Sequence, residues 1–137
     1  MNIMKTLIYL PILLILTMSC SKSNNDDSSK PSIIGKWKLI ELYNSDGGTS
    51  PTWHTVTNGY LLEFFSNGTF TSTKHIECTT GSYTISPTNE VNMTYNCVSF
   101  TNSYLEKVET NTSTQLILKP TYMNCDEGCS VKFEKVN

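Results

Sequence analysis

The sequence has no arginine and no alanine, and only two of its 137 residues are histidine. Without arginine, and with a formal net charge of −2, it offers no basic stripe that could follow a phosphate backbone, which excludes ordinary nucleic-acid binding. The lack of alanine, set against an abundance of Thr, Ser, Asn and Tyr, disfavours helices and favours strands. No stretch after residue 32 sustains a 3.6-residue apolar period. Long hydrophobic runs are missing as well. The longest is residues 7–16, Leu-Ile-Tyr-Leu-Pro-Ile-Leu-Leu-Ile-Leu, well short of the roughly 20 residues that cross a hydrocarbon core. A retained transmembrane anchor is therefore not expected.

What the first residues do contain is a charged start (Lys5), that apolar run, and a small residue, Ser19, before Cys20. This is the layout of a secretory signal, expected to be removed as residues 1–19. Leu16-Thr17-Met18-Ser19-Cys20 resembles a lipobox, although Met18 stands where that family prefers a small residue. The resemblance implies that the Cys20 thiol receives diacylglycerol and that its new amino group is acylated, palmitate being a common chain. Each buried CH₂ contributes about 0.8 kcal/mol, so two or more chains hold a small protein on a membrane almost permanently. Residues 21–31 contain no apolar side chain and cannot offset their own ordering entropy, so residues 20–32 are expected to form a disordered tether. A flexible coil of about 12 residues reaches roughly 20 Å. Ser21 directly after the cysteine resembles lipoproteins sent to the outer membrane, and Asp26-Asp27 weakly resembles a surface-export tag.

The remaining 33–137 fits one domain. Without Lys5 the mature chain has 9 lysines against 12 acidic residues, a net charge of −3. Short β-type runs recur with turn residues between them, at 35–43, 60–65, 69–75, 81–86, 90–96, 104–110, 115–119 and 129–136. Asn67-Gly68 tolerates positive φ and predicts a type I′ hairpin turn; Pro87-Thr88-Asn89 predicts another hairpin. Residues 44–59 read as a long loop. Eight strands with short connections predict an all-β, up-and-down antiparallel barrel, with a sandwich as the other arrangement of the same strands. Alternation places Leu62 with Phe64, Tyr83 with Ile85, Val91 with Met93 and Tyr95, Leu116 with Leu118, and Val131 with Phe133 on shared faces.

Gly35-Lys36-Trp37 at the start of the first strand resembles the Gly-x-Trp signature of lipocalins. The run 62–70, Leu-Glu-Phe-Phe-Ser-Asn-Gly-Thr-Phe, followed by Gly81-Ser82-Tyr83-Thr84-Ile85, resembles the lipocalin-like (calycin) domain of short Bacteroidota lipoproteins. Leu116-Ile117-Leu118 and Val131-Lys132-Phe133-Glu134-Lys135-Val136 fit its late strands. The resemblance implies a barrel whose floor is closed by Gly35 and Trp37, with a cation from the last strand stacked on the tryptophan. In lipocalins that cation is an arginine; here Lys132 or Lys135 must replace it. Lys135 is preferred because it shares a face with Val131 and Phe133. The resemblance further implies a small hydrophobic or amphipathic ligand in the barrel mouth beneath residues 44–59, with Trp53, His54 and Tyr60 as candidate contacts. A barrel filled by its own side chains is the opposing possibility.

Four cysteines remain after Cys20: Cys78, Cys97, Cys125 and Cys129. Export and an even count predict two disulfides from three possible connectivities. Pairing across the Pro87-Thr88 turn sets Cys78 beside Cys97, and Cys125 then closes a tight loop with Cys129 through Gly128. A zinc site using these cysteines with His54 or His75 would need more closely spaced cysteine pairs in a reduced setting. Asp46, Ser50 and His54 share one loop, but nothing in the sequence holds them as a triad. Glu41 and Glu63 are expected on a solvated outer face, and the sequons at Asn67, Asn92 and Asn111 are coincidental. No metal, cofactor or catalysis is expected. The expected protein is a lipid-anchored envelope barrel that binds a small molecule, or alternatively one that docks an envelope protein or glycan.

Overall fold

The computed structural model describes residues 32–98, 100, 103–126 and 128–137. The signal segment 1–19, Cys20 and residues 21–31 of the tether lie outside the described residues. Nine strands follow one another: β1 (Gly35–Asn44), β2 (Thr52–Thr55), β3 (Leu61–Phe64), β4 (Thr69–Ser72), β5 (Thr80–Ile85), β6 (Glu90–Tyr95), β7 (Ser103–Asn111), β8 (Gln115–Pro120) and β9 (Val131–Val136). From β3 to β9 each strand pairs antiparallel with the next, and β1 pairs with both β3 and β9. Eight strands thus close into an antiparallel up-and-down barrel, the class the strand count and short connections predict. Closure satisfies the backbone edges that an open sheet would expose.

The ninth strand corrects the reading of residues 44–59 as a loop. Thr52–Thr55 pairs with the far half of β1, from Glu41↔Thr55 to Asn44↔Thr52. Glu41 and Leu42 pair with β9 as well, so β2 lies on the opposite edge of β1, the edge that β3 occupies lower down. A bulge between Leu39 and Glu41 lets β1 bend there while it stays paired with β9. All four β2 side chains are exposed, which is why no apolar alternation marks the strand in the sequence.

The turn at Asn67-Gly68 also differs from the expected I′ form. Only Gly68 has positive φ (+80°), whereas type I′ requires it at both central residues. The amide of Gly68 donates to the Phe65 carbonyl, and Phe65 donates to the Thr69 carbonyl. The loop is therefore three residues long, with its left-handed position at Gly68. The turn after β5 uses the same device at Asn89 (φ 61°), as a three-residue hairpin loop requires.

Inward-facing side chains form one core. Trp37, Phe64, Phe70, Val91, Leu116, Leu118 and Phe133 are fully buried, and Ile33, Leu39, Leu62, Cys78, Met93 and Tyr95 complete it. Ile85 shares the face of Tyr83, opposite Val91 as Tyr83 is opposite Met93, but at the end of its strand it is exposed. Glu41 and Glu63 face outward as expected, paired with Lys132 and Lys36 respectively.

Candidate functional site

The two barrel ends are built differently. At one end, where β1 begins, Trp37 lies flat across the floor and its indole N–H donates to the Ile33 carbonyl at 2.7 Å. The Lys135 ammonium sits over the Trp37 ring, 4.6 Å from its centroid, and donates to the Ile34 carbonyl at 2.8 Å. Gly35, at φ +123°, runs so close beneath that a Cβ would lie 2.8 Å from Lys135 Cε and Nζ. Gly35, Trp37 and Lys135 therefore meet in one arrangement, with the Trp37 indole N–H and the Lys135 ammonium both donating to backbone carbonyls. This end is sealed.

At the opposite end the strands converge on a polar, aromatic mouth. Tyr60, Leu62, Ser72, Lys74, Met93, Tyr95, Tyr104, Glu106 and Leu118 surround a void of about 10 Å³, at the lower limit for a single water. Tyr60 meets Phe133 edge-on at 5.6 Å. Tyr95 packs on Phe70 (5.0 Å), Phe100 (5.2 Å), His75 (5.3 Å) and Tyr104 (5.7 Å). Tyr122 extends the stack outward from Tyr104 at 5.2 Å. The Lys74 ammonium lies over two of these rings, 5.0 Å from Tyr104 and 5.7 Å from Tyr60.

Glu106 sits at the base of this mouth. It is 5% exposed, and its Oε2 has no hydrogen-bond partner among the described residues. Burial raises its carboxyl above the ordinary glutamate value, and the Lys74 charge offsets part of that rise. Burial, followed by the Glu106 charge, pushes the Tyr60 phenol far above its usual range. Burial also raises Tyr95 and Tyr122. Desolvation and then the Lys74 charge push His75 below its ordinary value, so its ring is neutral at neutral pH. A buried carboxyl lacking a partner is costly and marks a candidate functional position.

The expected mouth contacts are not brought together. Tyr60 lines the mouth, but Trp53 does not. Because Tyr43 and Leu42 alternate in β1, their β2 partners Trp53 and His54 point to opposite faces. Trp53 packs outside against Tyr43 at 5.1 Å and beneath Lys132, 4.1 Å from its ammonium. His54 contacts the Thr52 hydroxyl at 3.1 Å and lines a separate open hollow of about 450 Å³ with Leu42, Asp46 and Val56. Asp46 accepts from Thr49, so these are local loop contacts.

The cysteines pair as expected from the hairpin. Cys78 and Cys97 stand 2.03 Å apart, sulfur to sulfur, and Cys125 and Cys129 1.97 Å. Cys78–Cys97 braces the rim where β5 begins and β6 ends, just beyond the Gly81↔Tyr95 pair. Sequence reasoning missed Glu106, Lys74 and Tyr104. The alternation Tyr104-x-Glu106-x-Val108 held the signal, since it aligns a glutamate with two residues of an inward face. No protein-family model, curated protein or solved structure matches the chain.

Proposed function

We propose that this protein is a non-catalytic binding module of the cell envelope, held to the outer membrane by lipid on Cys20, and that its tyrosine-lined mouth takes a small amphipathic molecule. The observation that carries the binding reading is the unpartnered Glu106 carboxyl at the base of an aromatic mouth. Among the described residues, Glu106 is the one buried carboxyl without a hydrogen-bond partner. A ligand swallowed whole is disfavoured, because Trp37, Phe64, Phe70 and Phe133 fill the interior. The ligand instead sits at the mouth, with its apolar part on the rim. The anchor is supported by the signal layout and lipobox resemblance of residues 1–20.

Two measurements test this. Cys20→Ala should release the protein from the membrane fraction, and full retention of the variant would overturn the anchor. Native mass spectrometry of the protein drawn from its own membrane should show a bound small molecule in the wild type. Its complete absence across gentle extraction conditions would count against a ligand site. The docking alternative rests on a different observation. Ile76, Val98, Tyr122 and Met123 are exposed apolar side chains on the loops at the mouth end, and pull-down of a stoichiometric envelope protein without any small molecule would favour that reading.

A further inference from the structure

We propose that the mouth recognises the ammonium head of its ligand, and that the Lys74 ammonium is a resident occupant which the incoming head displaces. This rests on the binding reading above and specifies its chemistry. Three features of the mouth converge on a cation. The faces of Tyr60 and Tyr104 already carry one, at 5.7 and 5.0 Å, and ring faces attract positive charge through their quadrupole. Beneath them the Glu106 carboxyl is buried with one oxygen unpartnered. Finally, Lys74 itself forms no ion pair with Glu106 among the described residues. It touches the rings but leaves the carboxyl unanswered.

Lys74 is also easy to move. Its side chain is exposed, so swinging it into water uncovers little apolar surface. It forms a wall of the inner void together with Tyr104, and the same two residues bound an outer basin of about 540 Å³ with Ser103, Tyr122 and Met123. Lys74 and Tyr104 therefore stand between the void and the basin, and of the two Lys74 is the exposed one. Once it swings aside, a compact ammonium can rest on Tyr60 and Tyr104 above Glu106, while the remainder of the ligand lies along Tyr122 and Met123. An anion in the same place would meet the Glu106 carboxylate and the negative ring faces. A neutral donor could bond the free Glu106 oxygen but would lack the charge attraction to the carboxylate and the ring faces.

The test uses the full lipidated protein in lipid nanodiscs and titrates three water-soluble probes by calorimetry. These are choline, its uncharged carbon isostere 3,3-dimethylbutan-1-ol, and 3-hydroxypropanesulfonate. Choline should bind at least tenfold more tightly than the isostere, and the sulfonate should not bind. Glu106→Gln should reduce the preference for choline over the isostere to less than threefold. Lys74→Met, which removes the competing occupant, should tighten choline severalfold; a site built for anions would respond in the opposite sense. Equal affinity for choline and isostere, a preference for the sulfonate, or weaker choline binding in Lys74→Met would each overturn the ammonium assignment while leaving a mouth site intact. Failure of every probe to bind would overturn both the assignment and the binding reading. The source of the head follows from lipid composition. Weaker choline binding in phosphatidylethanolamine discs than in phosphatidylglycerol discs supports a lipid head as ligand, and equal binding supports a free amine.

Discussion

Substituting Gly35 by alanine tests whether the barrel floor is one coupled unit. The backbone at Gly35 sits at φ +123°, a conformation that costs a residue with a Cβ about 1–3 kcal/mol. The new Cβ would also lie 2.8 Å from Lys135 Cε and Nζ, so the lysine end must leave. Its departure forfeits the contact with Trp37 and the hydrogen bond to Ile34, together worth about 1–2 kcal/mol. Gly35→Ala should therefore destabilise by about 2–5 kcal/mol, and Lys135→Ala alone by about 1–2 kcal/mol. In the double variant the collision no longer exists, because the lysine end is already gone, and only the backbone strain remains. The losses should then fall short of additivity by about 1–2 kcal/mol, the worth of the lysine seat. Denaturant unfolding of all four proteins at constant m-value measures this directly. Additivity within about 0.3 kcal/mol would refute the reasoning, since the Cβ would then not have unseated Lys135.

Glu106 makes stability depend on pH. Its folded pKa is raised above the unfolded value, so its contribution is fully present below the unfolded pKa, near the ordinary 4.5, and is lost as pH rises through the folded pKa. The groups facing it are Lys74, Tyr60, Tyr95, Tyr104 and Tyr122; of these Lys74 alone opposes the rise. Relative to wild type, Glu106→Gln should gain stability between pH 4 and pH 8, since the variant lacks the group whose contribution is lost as pH rises. A difference that does not change between those pH values, in melts followed by circular dichroism, would remove Glu106 as the cause. The two disulfides should differ in worth, because Cys78–Cys97 closes a separation of 19 residues and Cys125–Cys129 one of 4. Chain-entropy arithmetic gives about 3 and about 2 kcal/mol respectively. Paired Cys→Ala variants, unfolded in urea, should rank in that order, and the reverse order would show that native contacts rather than chain closure decide.

Most of the barrel was readable in the sequence because its strands are short, alternating and joined by turn residues. Val91, Met93 and Tyr95 recur every second residue and all three are buried, so period alone assigns their face. The cysteine pairing was readable for a related reason: a hairpin fixes which residues meet across it. The β2 strand was not readable. Its side chains are exposed throughout, and it exists because β1 runs on past its bulge and leaves an edge to pair with. Asn67-Gly68 supports either hairpin form, and the hydrogen bonds of Phe65 with Thr69 and Gly68 decide between them. The mouth was hardest to foresee because its members come from four separate places. Tyr60 precedes β3, Lys74 follows β4, Tyr95 ends β6, and Tyr104 and Glu106 share β7. Only closure of the barrel brings them together, and no local pattern records closure.

The two ends of the barrel carry the same contact, a lysine over aromatic rings, in opposite settings. At the floor, Lys135 is fixed by the Ile34 carbonyl, Trp37 by the Ile33 carbonyl, and Gly35 allows the lysine its close approach. Every partner is supplied from within the chain, so the contact contributes to stability and leaves nothing for a ligand to answer. At the mouth, Lys74 rests on Tyr60 and Tyr104 from an exposed position, and the carboxyl below it keeps an unpartnered oxygen. A protein selected for stability alone gains from satisfying or removing such a group. Its retention beneath a displaceable cation is the pattern expected where stability is given up for recognition. The same logic separates the variants: Lys135 substitutions should lower unfolding free energy and leave probe affinity unchanged. Lys74 substitutions should change probe affinity and leave unfolding nearly untouched.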